Sequence, residues 1–405
     1  MGFDFDQDVN KFGMNSVKWE FISGEWALEY TEHAHPKSGQ KPMIPMWVAD
    51  MDFACAPTIL EALQARIARG VLGYASPTDA YYEAIINWTA RRYGRSIEKE
   101  WILNTPGTVP ALNMLIQAFI ESGDKVLIQK PVYYPFFDVI EKNGGEIVSN
   151  TLLLENGRYH MDFEDLAAKA ADPAVKVAIL CSPHNPIGWV WSTEELRKFG
   201  QICLQHNVLV ISDEVHCDLI YPETNFTTFP NVDESFAQNS IVLMGPNKSF
   251  NIAGLRMSNA IIPNANLRER FEAILQKNGM KGANIMGLVA TEAAYNLAED
   301  WLEAAMDYIV ANARFMQDYL ATHLPQLKLI RPNGTYLAWV DFRGLGLSAE
   351  ARQALIFDKA RVYLDEGELF GPEGEGFERF NLACSRATLA EALARIKDTI
   401  DDLEM

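Results

Sequence analysis

Four short stretches of this chain carry side chains whose chemistry exceeds what a scaffold needs. Pro246-Asn-Lys-Ser249 offers an amine at Lys248, Ser212-Asp-Glu-Val-His216 a carboxylate at Asp213 and an imidazole at His216, and Ser182-Pro-His-Asn-Pro-Ile-Gly188 an amide at Asn185. Thr105-Pro-Gly-Thr108 sets Gly107 and Thr108 directly ahead of the apolar-periodic stretch Val109 to Ile120, so their N–H groups can face an anion at the positive end of a helix. A lysine amine is a nucleophile toward carbonyl carbon, and the Asn-Pro-x-Gly turn can aim an amide at a fixed point. Each feature alone has a plainer explanation: a solvated loop lysine, a helix N-cap aspartate, an ordinary turn, a glycine before a helix. Their joint order along the chain carries the weight.

The elements that must position them follow from periodicity. From about residue 57, helical stretches such as Pro57 to Arg69, with Ile59, Leu60, Leu63 and Ile67 on one face, alternate with short apolar runs. Lys125 to Ile128, Val175 to Leu180, Val208 to Ile211 and Ile241 to Met244 read as strands buried on both faces, which predicts a parallel sheet covered by helices. Ser192 and Glu195 have capping-box spacing, and Asn207 suits a left-handed helix end, so the second and third runs are joined as a βαβ unit. In such sheets ligands sit beyond the carboxyl ends of strands, where the four stretches fall. After residue 300 the pattern changes to a long helix from Trp301 to about Leu324, a strand from Tyr336 to Asp341 and a helix from about Leu389. The expected architecture is α/β: a large domain over 49–300 with a mostly parallel sheet, of the seven-stranded type that the family resemblance below implies, plus a smaller α+β domain from 1–48 and 301–405.

Composition narrows the partners. The net charge of -19 opposes binding to phosphate backbones and anionic lipid, so neither nucleic acid nor membrane is expected. Five scattered cysteines without a Cys-x-x-Cys pair signal neither a disulfide framework nor a zinc site, and no metal is expected. The opening Met1-Gly-Phe-Asp-Phe-Asp6 lacks the basic start and apolar run of a signal peptide, and a cytoplasmic location is the expectation.

With Tyr74 in Gly73-Tyr-Ala-Ser-Pro77, Phe250-Asn-Ile-Ala-Gly-Leu-Arg256 and Arg379-Phe-Asn381, the chain resembles fold-type I pyridoxal 5′-phosphate enzymes of the class I/II aminotransferase group over nearly its whole length. The resemblance implies pyridoxal 5′-phosphate as cofactor and gives each residue a role. Lys248 would hold the cofactor as a Schiff base, Asp213 would keep its ring nitrogen protonated, and Asn185 and His216 would meet its phenolic oxygen. Arg256, Gly107 and Thr108 would bind the phosphate. Tyr133, with Tyr134 as rival, would stack on the ring. Arg379, with Arg386 as fallback, would grip the substrate carboxylate in a two-bond fork beside Asn185. Tyr74 would reach the neighbouring subunit's cofactor and substrate, which implies a homodimer with shared sites. Two positions depart from the pattern: Gly245 and Asn247 stand where serine, or serine and threonine, are common in aminotransferases.

Asn15-Ser-Val-Lys-Trp-Glu20, Pro45-Met-Trp-Val-Ala-Asp-Met-Asp-Phe53, Asp213-Glu-Val-His-Cys-Asp218 and Thr335-Tyr-Leu-Ala-Trp339 resemble the MalY/PatB branch, the cystathionine β-lyase type of carbon–sulfur lyase. His216, where many aminotransferases carry tyrosine, is one distinguishing position. This branch implies α,β-elimination of L-cystathionine or another cysteine conjugate to a thiol, pyruvate and ammonia, with Lys248 taking the Cα proton. The rival is an aminotransferase of broad amino-acid specificity, and a binding module on an enzyme scaffold is the other class. Trp47, Asp50 and Tyr336 belong to the lyase-like segments, but core packing or a loop cap accounts for them equally well.

Overall fold

The computed structural model describes residues 2–7, 9–23, 28–30, 41–280 and 282–403. Part of the expected 1–48 segment therefore lies outside the described residues. A seven-stranded sheet occupies the middle of the chain: β1 (Ile102–Thr105), β2 (Lys125–Ile128), β3 (Glu146–Ser149), β4 (Val175–Cys181), β5 (Leu209–Asp213), β6 (Ser240–Met244) and β7 (Ser258–Ile261), in the order β1-β7-β6-β5-β4-β2-β3. All neighbours run parallel except β7, which is antiparallel to both β6 and β1.

The side-chain period of two explains why these strands read as continuous apolar runs. On β4, Val177 and Ile179 enter one core cluster while Ala178 and Leu180 enter another on the opposite face, so every position of the strand except Lys176 is buried. Helices α1 (Pro57–Ala68), α2 (Asp79–Tyr93), α3 (Thr108–Phe119) and α4 (Thr193–Gln205) belong to this part of the chain. The α4 start carries the expected capping box: Ser192 Oγ accepts from Glu195 N–H at 3.2 Å, and the Glu195 carboxylate accepts from Ser192 N–H at 2.8 Å. Asn207, just past its end, has φ 56°.

Beyond it, α5 (Glu299–His323) leads into an antiparallel four-stranded sheet of β8 (Lys328–Ile330), β9 (Leu337–Asp341), β10 (Asp365–Glu366) and β11 (Phe377–Asn381), ordered β8-β9-β11-β10, and α6 (Arg386–Asp401) closes the chain. Near the amino end, Ile44–Pro45 pairs in parallel with Val362–Tyr363, tying that segment to the carboxyl-terminal part. Boundaries moved by a few residues from expectation: α5 begins at Glu299 rather than Trp301 and α6 at Arg386 rather than Leu389, where Ser385 Oγ caps the backbone of Thr388. Among the described residues no helix is long and apolar enough to cross a membrane.

Candidate active site

A cavity of about 310 Å³ opens beyond the carboxyl ends of β4, β5 and β6 and beside the start of α3. Its wall includes Gly107, Thr108, Tyr133, Asn185, Asp213, His216, Lys248 and Arg256. Eight residues singled out in the sequence, spread over 150 positions, thus meet around one space. Tyr134, the rival to Tyr133, is not in the wall.

Lys248 sits in a turn after β6 that is fixed from both sides. Ser249 Oγ donates to the buried Asp218 at 2.7 Å, and the Asn251 side chain makes three hydrogen bonds with the backbone of Met51 and Phe53. The lysine amine donates to the Ala49 carbonyl at 2.6 Å, and Tyr336 Oη donates to the same oxygen at 3.0 Å. Loss of hydration holds the Lys248 amine below its ordinary pKa, with Arg379 adding to the effect and Asp50 and Asp213 opposing it.

Asp213 ends β5. It accepts one hydrogen bond, from Val215 N–H at 3.2 Å, and burial pushes its carboxyl up to about 7. The two effects together describe a carboxylate waiting for a cationic or N–H partner. His216 is buried, and burial next to Lys248 and Arg379 pushes it down to about 3, so the imidazole is neutral. Its Nδ1 and the Oδ1 of Asn247 are buried without partners among the described residues.

Gly107, at φ 114°, turns the chain into α3, a backbone conformation that a side chain would strain. At position 245 a Cβ would lie 3.1 Å from both Met257 O and Ser258 Cα, a tight approach to the start of β7, the antiparallel neighbour of β6. Thr108 Oγ1 lies 3.3 Å from Ser258 Oγ, which places a second hydroxyl near the helix start.

Arg379, from the carboxyl-terminal sheet, is not itself in the cavity wall and reaches it through Asn185. It is 2% exposed and gives Nη1 to Asn185 Oδ1 at 2.9 Å and Nη2 to Trp47 O at 2.6 Å and to the Asp365 carboxylate. Asn185 thereby touches both parts of the site, and its own carbonyl accepts from Tyr133 N–H at 3.0 Å. Arg386 lies elsewhere, with Nε on Asn312 Oδ1 at 2.7 Å. Tyr74 is fully exposed and is not in the cavity wall; Val71 and Leu72 beside it are exposed as well.

Two of the segments quoted for the lyase-like branch meet at Ala49, whose carbonyl accepts from Tyr336 Oη, and a third reaches the neighbouring Asp50 carbonyl through Lys18 Nζ at 3.1 Å. Trp47 Nε1 donates to Lys18 O at 3.1 Å, Lys18 pairs with Asp52 at 3.0 Å, and Thr335 N–H donates to Leu219 O at 2.6 Å beside the His216 turn. Asp365 was not singled out in the sequence, and Ala49 acts through a backbone carbonyl that no residue type announces.

These residues fit pyridoxal 5′-phosphate. The orphaned His216 Nδ1, the underused Asp213 carboxylate, the Lys248 amine and the glycine-started helix offer the polar partners that a heteroaromatic aldehyde with a phosphate demands.

Residues 41–396 match the family model of aminotransferase class I and II. The chain is 43% identical to cystathionine β-lyase PatB of Bacillus subtilis, over 97% of this chain and 99% of that protein. Cystalysin from Treponema denticola, solved with its pyridoxal 5′-phosphate cofactor, superposes with a TM-score of 0.93 at 36% identity, all of both chains covered. The C–S lyase of Staphylococcus hominis, bound to the same cofactor, superposes with a TM-score of 0.90 at 32% identity, over 99% of this chain and 98% of that one.

Proposed function

This chain belongs to the class I and II aminotransferase family, and we propose that it is a pyridoxal 5′-phosphate-dependent carbon–sulfur β-lyase that cleaves L-cystathionine or related cysteine S-conjugates to a thiol, pyruvate and ammonia. The observation that carries the lyase reading is the end-to-end similarity to a cystathionine β-lyase; Tyr336, from one lyase-like segment, donates to the Ala49 carbonyl of another, the oxygen that Lys248 also touches.

When bound, the cofactor supplies a carbonyl for amines and a ring that accepts electrons from the substrate's Cα. The protein's own residues do the rest. Lys248 would anchor the cofactor and, as a free amine, would take the Cα proton on Nζ; burial favours the neutral form of that amine, the form able to accept a proton. Asp213 holds a proton at the ring nitrogen through a carboxylate with an unused oxygen. In a cavity that all of them line, Asn185 Nδ2 and the neutral His216 would donate to the phenolic oxygen, Tyr133 would pack on the ring, and Gly107, Thr108 and Arg256 would hold the phosphate. Arg379 binds the α-carboxylate, and Tyr336 Oη with Lys248 keeps the Ala49 carbonyl fixed at the point of proton transfer. Release of the thiolate with one proton, and addition of one water to the remaining fragment, balances to thiol, pyruvate and ammonia.

The proposal includes a homodimer, supported by the exposed run Val71, Leu72 and Tyr74, which would carry Tyr74 into the second copy's site. It also includes the division into a large domain over 49–300 and a small one from 1–48 and 301–405, and a cytoplasmic location, for which the five free cysteines are the support. The test is a substrate panel in which pyruvate and thiol are both measured. Equimolar pyruvate and homocysteine from L-cystathionine are expected. No pyruvate, with cofactor cycling between its aldehyde and amine forms as amino acid and keto acid are added, would replace this reading with that of an aminotransferase.

A further inference from the structure

Arg379 has five N–H donors, and the protein already engages three of them. Nη1 serves Asn185, and Nη2 serves both Trp47 O and Asp365; Nε is buried with no partner among the described residues. Asp365 and Arg379 face each other directly in the register of β10 and β11, so their side chains leave the same face of the sheet. Both are nearly inaccessible, at 3% and 2%. The Phe370 ring completes the enclosure, 4.9 Å from the guanidinium carbon.

A guanidinium on a flexible stem has no preferred plane, and its value in carboxylate recognition lies in a planar donor set held still. We propose that Asp365 is a positioning residue for substrate: its oxygen fixes the Arg379 plane so that the guanidinium presents its charge and its remaining Nη1 donor to an α-carboxylate, which makes the site select α-amino acids over the corresponding amines. The acceptor oxygen is the operative feature, because an arriving carboxylate is itself an anion and gains nothing from a second negative charge beside it. An asparagine keeps that oxygen; an alanine does not. The inference rests on the reading of Arg379 as the carboxylate site.

The test uses the full-length enzyme loaded with pyridoxal 5′-phosphate, its visible band titrated with L-alanine and with ethylamine, which differ by the carboxylate and carry no group to eliminate. Asp365→Ala is expected to weaken L-alanine by roughly 10-fold or more, the usual loss for a hydrogen bond to a charged group, while ethylamine shifts by less than about 3-fold. Asp365→Asn is expected to stay within about 3-fold of wild type for both ligands. Equal weakening of both ligands by Asp365→Ala, an unchanged L-alanine affinity, or an asparagine variant as impaired as the alanine one would each overturn the proposal. Should the alanine variant not fold, Asp365→Ser, which withdraws the oxygen from Nη2, carries the same comparison. A wild-type enzyme that binds L-alanine no more tightly than ethylamine would overturn the carboxylate reading of Arg379 and this inference with it, whereas absence of pyruvate from L-cystathionine strikes only the lyase reading.

Discussion

Around Lys248 polar atoms are left open, whereas around Arg379 most are closed. Beside the lysine, His216 Nδ1 and Asn247 Oδ1 lack partners among the described residues and Asp213 accepts a single N–H. Beside the arginine, Asn185, Trp47 and Asp365 already take three donors of one guanidinium. The first region is built from loops after parallel strands, where backbone geometry leaves groups pointing into space. The second is built on an antiparallel pair, where cross-strand neighbours satisfy one another. Open groups favour capture of a polar cofactor; closed ones favour a fixed recognition surface for a substrate that comes and goes.

Replacing Lys248 by alanine should have the largest consequence for turnover and a small one for folding. Loss of the base is expected to lower kcat by about 10²–10⁴-fold, the range for general acid–base catalysis, and to remove the cofactor's covalent visible band. Stability should change by less than about 1 kcal/mol, since Lys248 donates to a carbonyl rather than to a buried anion. Pyruvate release and urea unfolding measure the two sides, and a Lys248→Ala enzyme that unfolds much more easily would erase the contrast.

Arg379→Ala should act on both sides at once. It leaves the Asp365 carboxylate buried without its ion pair, a loss on the order of 3–5 kcal/mol, and removes the carboxylate contact. Combining it with Asp365→Asn should recover part of the stability and none of the substrate affinity. A double variant as unstable as the single one would show that the pair is not what holds this region closed.

The legibility of the two regions in the sequence follows the same division. Lys248, Asp213 and Asn185 lie in local motifs directly after apolar strands, so type and spacing announce them. Asp365 lies 14 residues from Arg379 on a two-residue strand with no alternation to mark it, and its partner is defined only by register. Trp47 acts on Arg379 through a carbonyl, which side-chain chemistry cannot reveal. Strand β7 was missed because it buries polar residues: Asn259 Oδ1 accepts from Tyr81 Oη at 2.7 Å, and Ser258 Oγ donates to Met244 O at 3.0 Å, so Ser258-Asn-Ala-Ile261 never reads as an apolar run.

The open region should also show itself in the pH dependence of the cofactor-free enzyme. Asp213 is pushed up to about 7, so between about 4 and 7 the folded chain keeps a proton that the unfolded chain has lost. Stability contributed by this group falls as pH rises through that window. His216, pushed down to about 3, has the opposite sign: the unfolded chain binds the proton first, and stability is lost as pH falls from about 6.5 toward 3. Asp213→Asn should therefore stabilise the cofactor-free protein at pH 7.5, on the order of a few kcal/mol, and little at pH 4. Urea unfolding at both values decides it, and an equal effect at both would mean that the carboxyl is not held protonated by its surroundings.

The smallest effect is expected from a residue that serves both regions without belonging to either. Helix α4 links β4, whose end leads to Asn185, with β5, whose end is Asp213, and Ser192 caps it through the reciprocal pair with Glu195. Ser192→Ala removes one cap, worth about 1 kcal/mol. The helix is also held by the burial of Leu196, Phe199 and Cys203, so its axis should stay where it is. Stability should fall by that amount with kcat, KM and the visible band unchanged. A spectral change in Ser192→Ala would mean that the spacing of Asn185 and Asp213 depends on the end of this helix, and that the open cradle is held in shape by the crossover rather than by the strands.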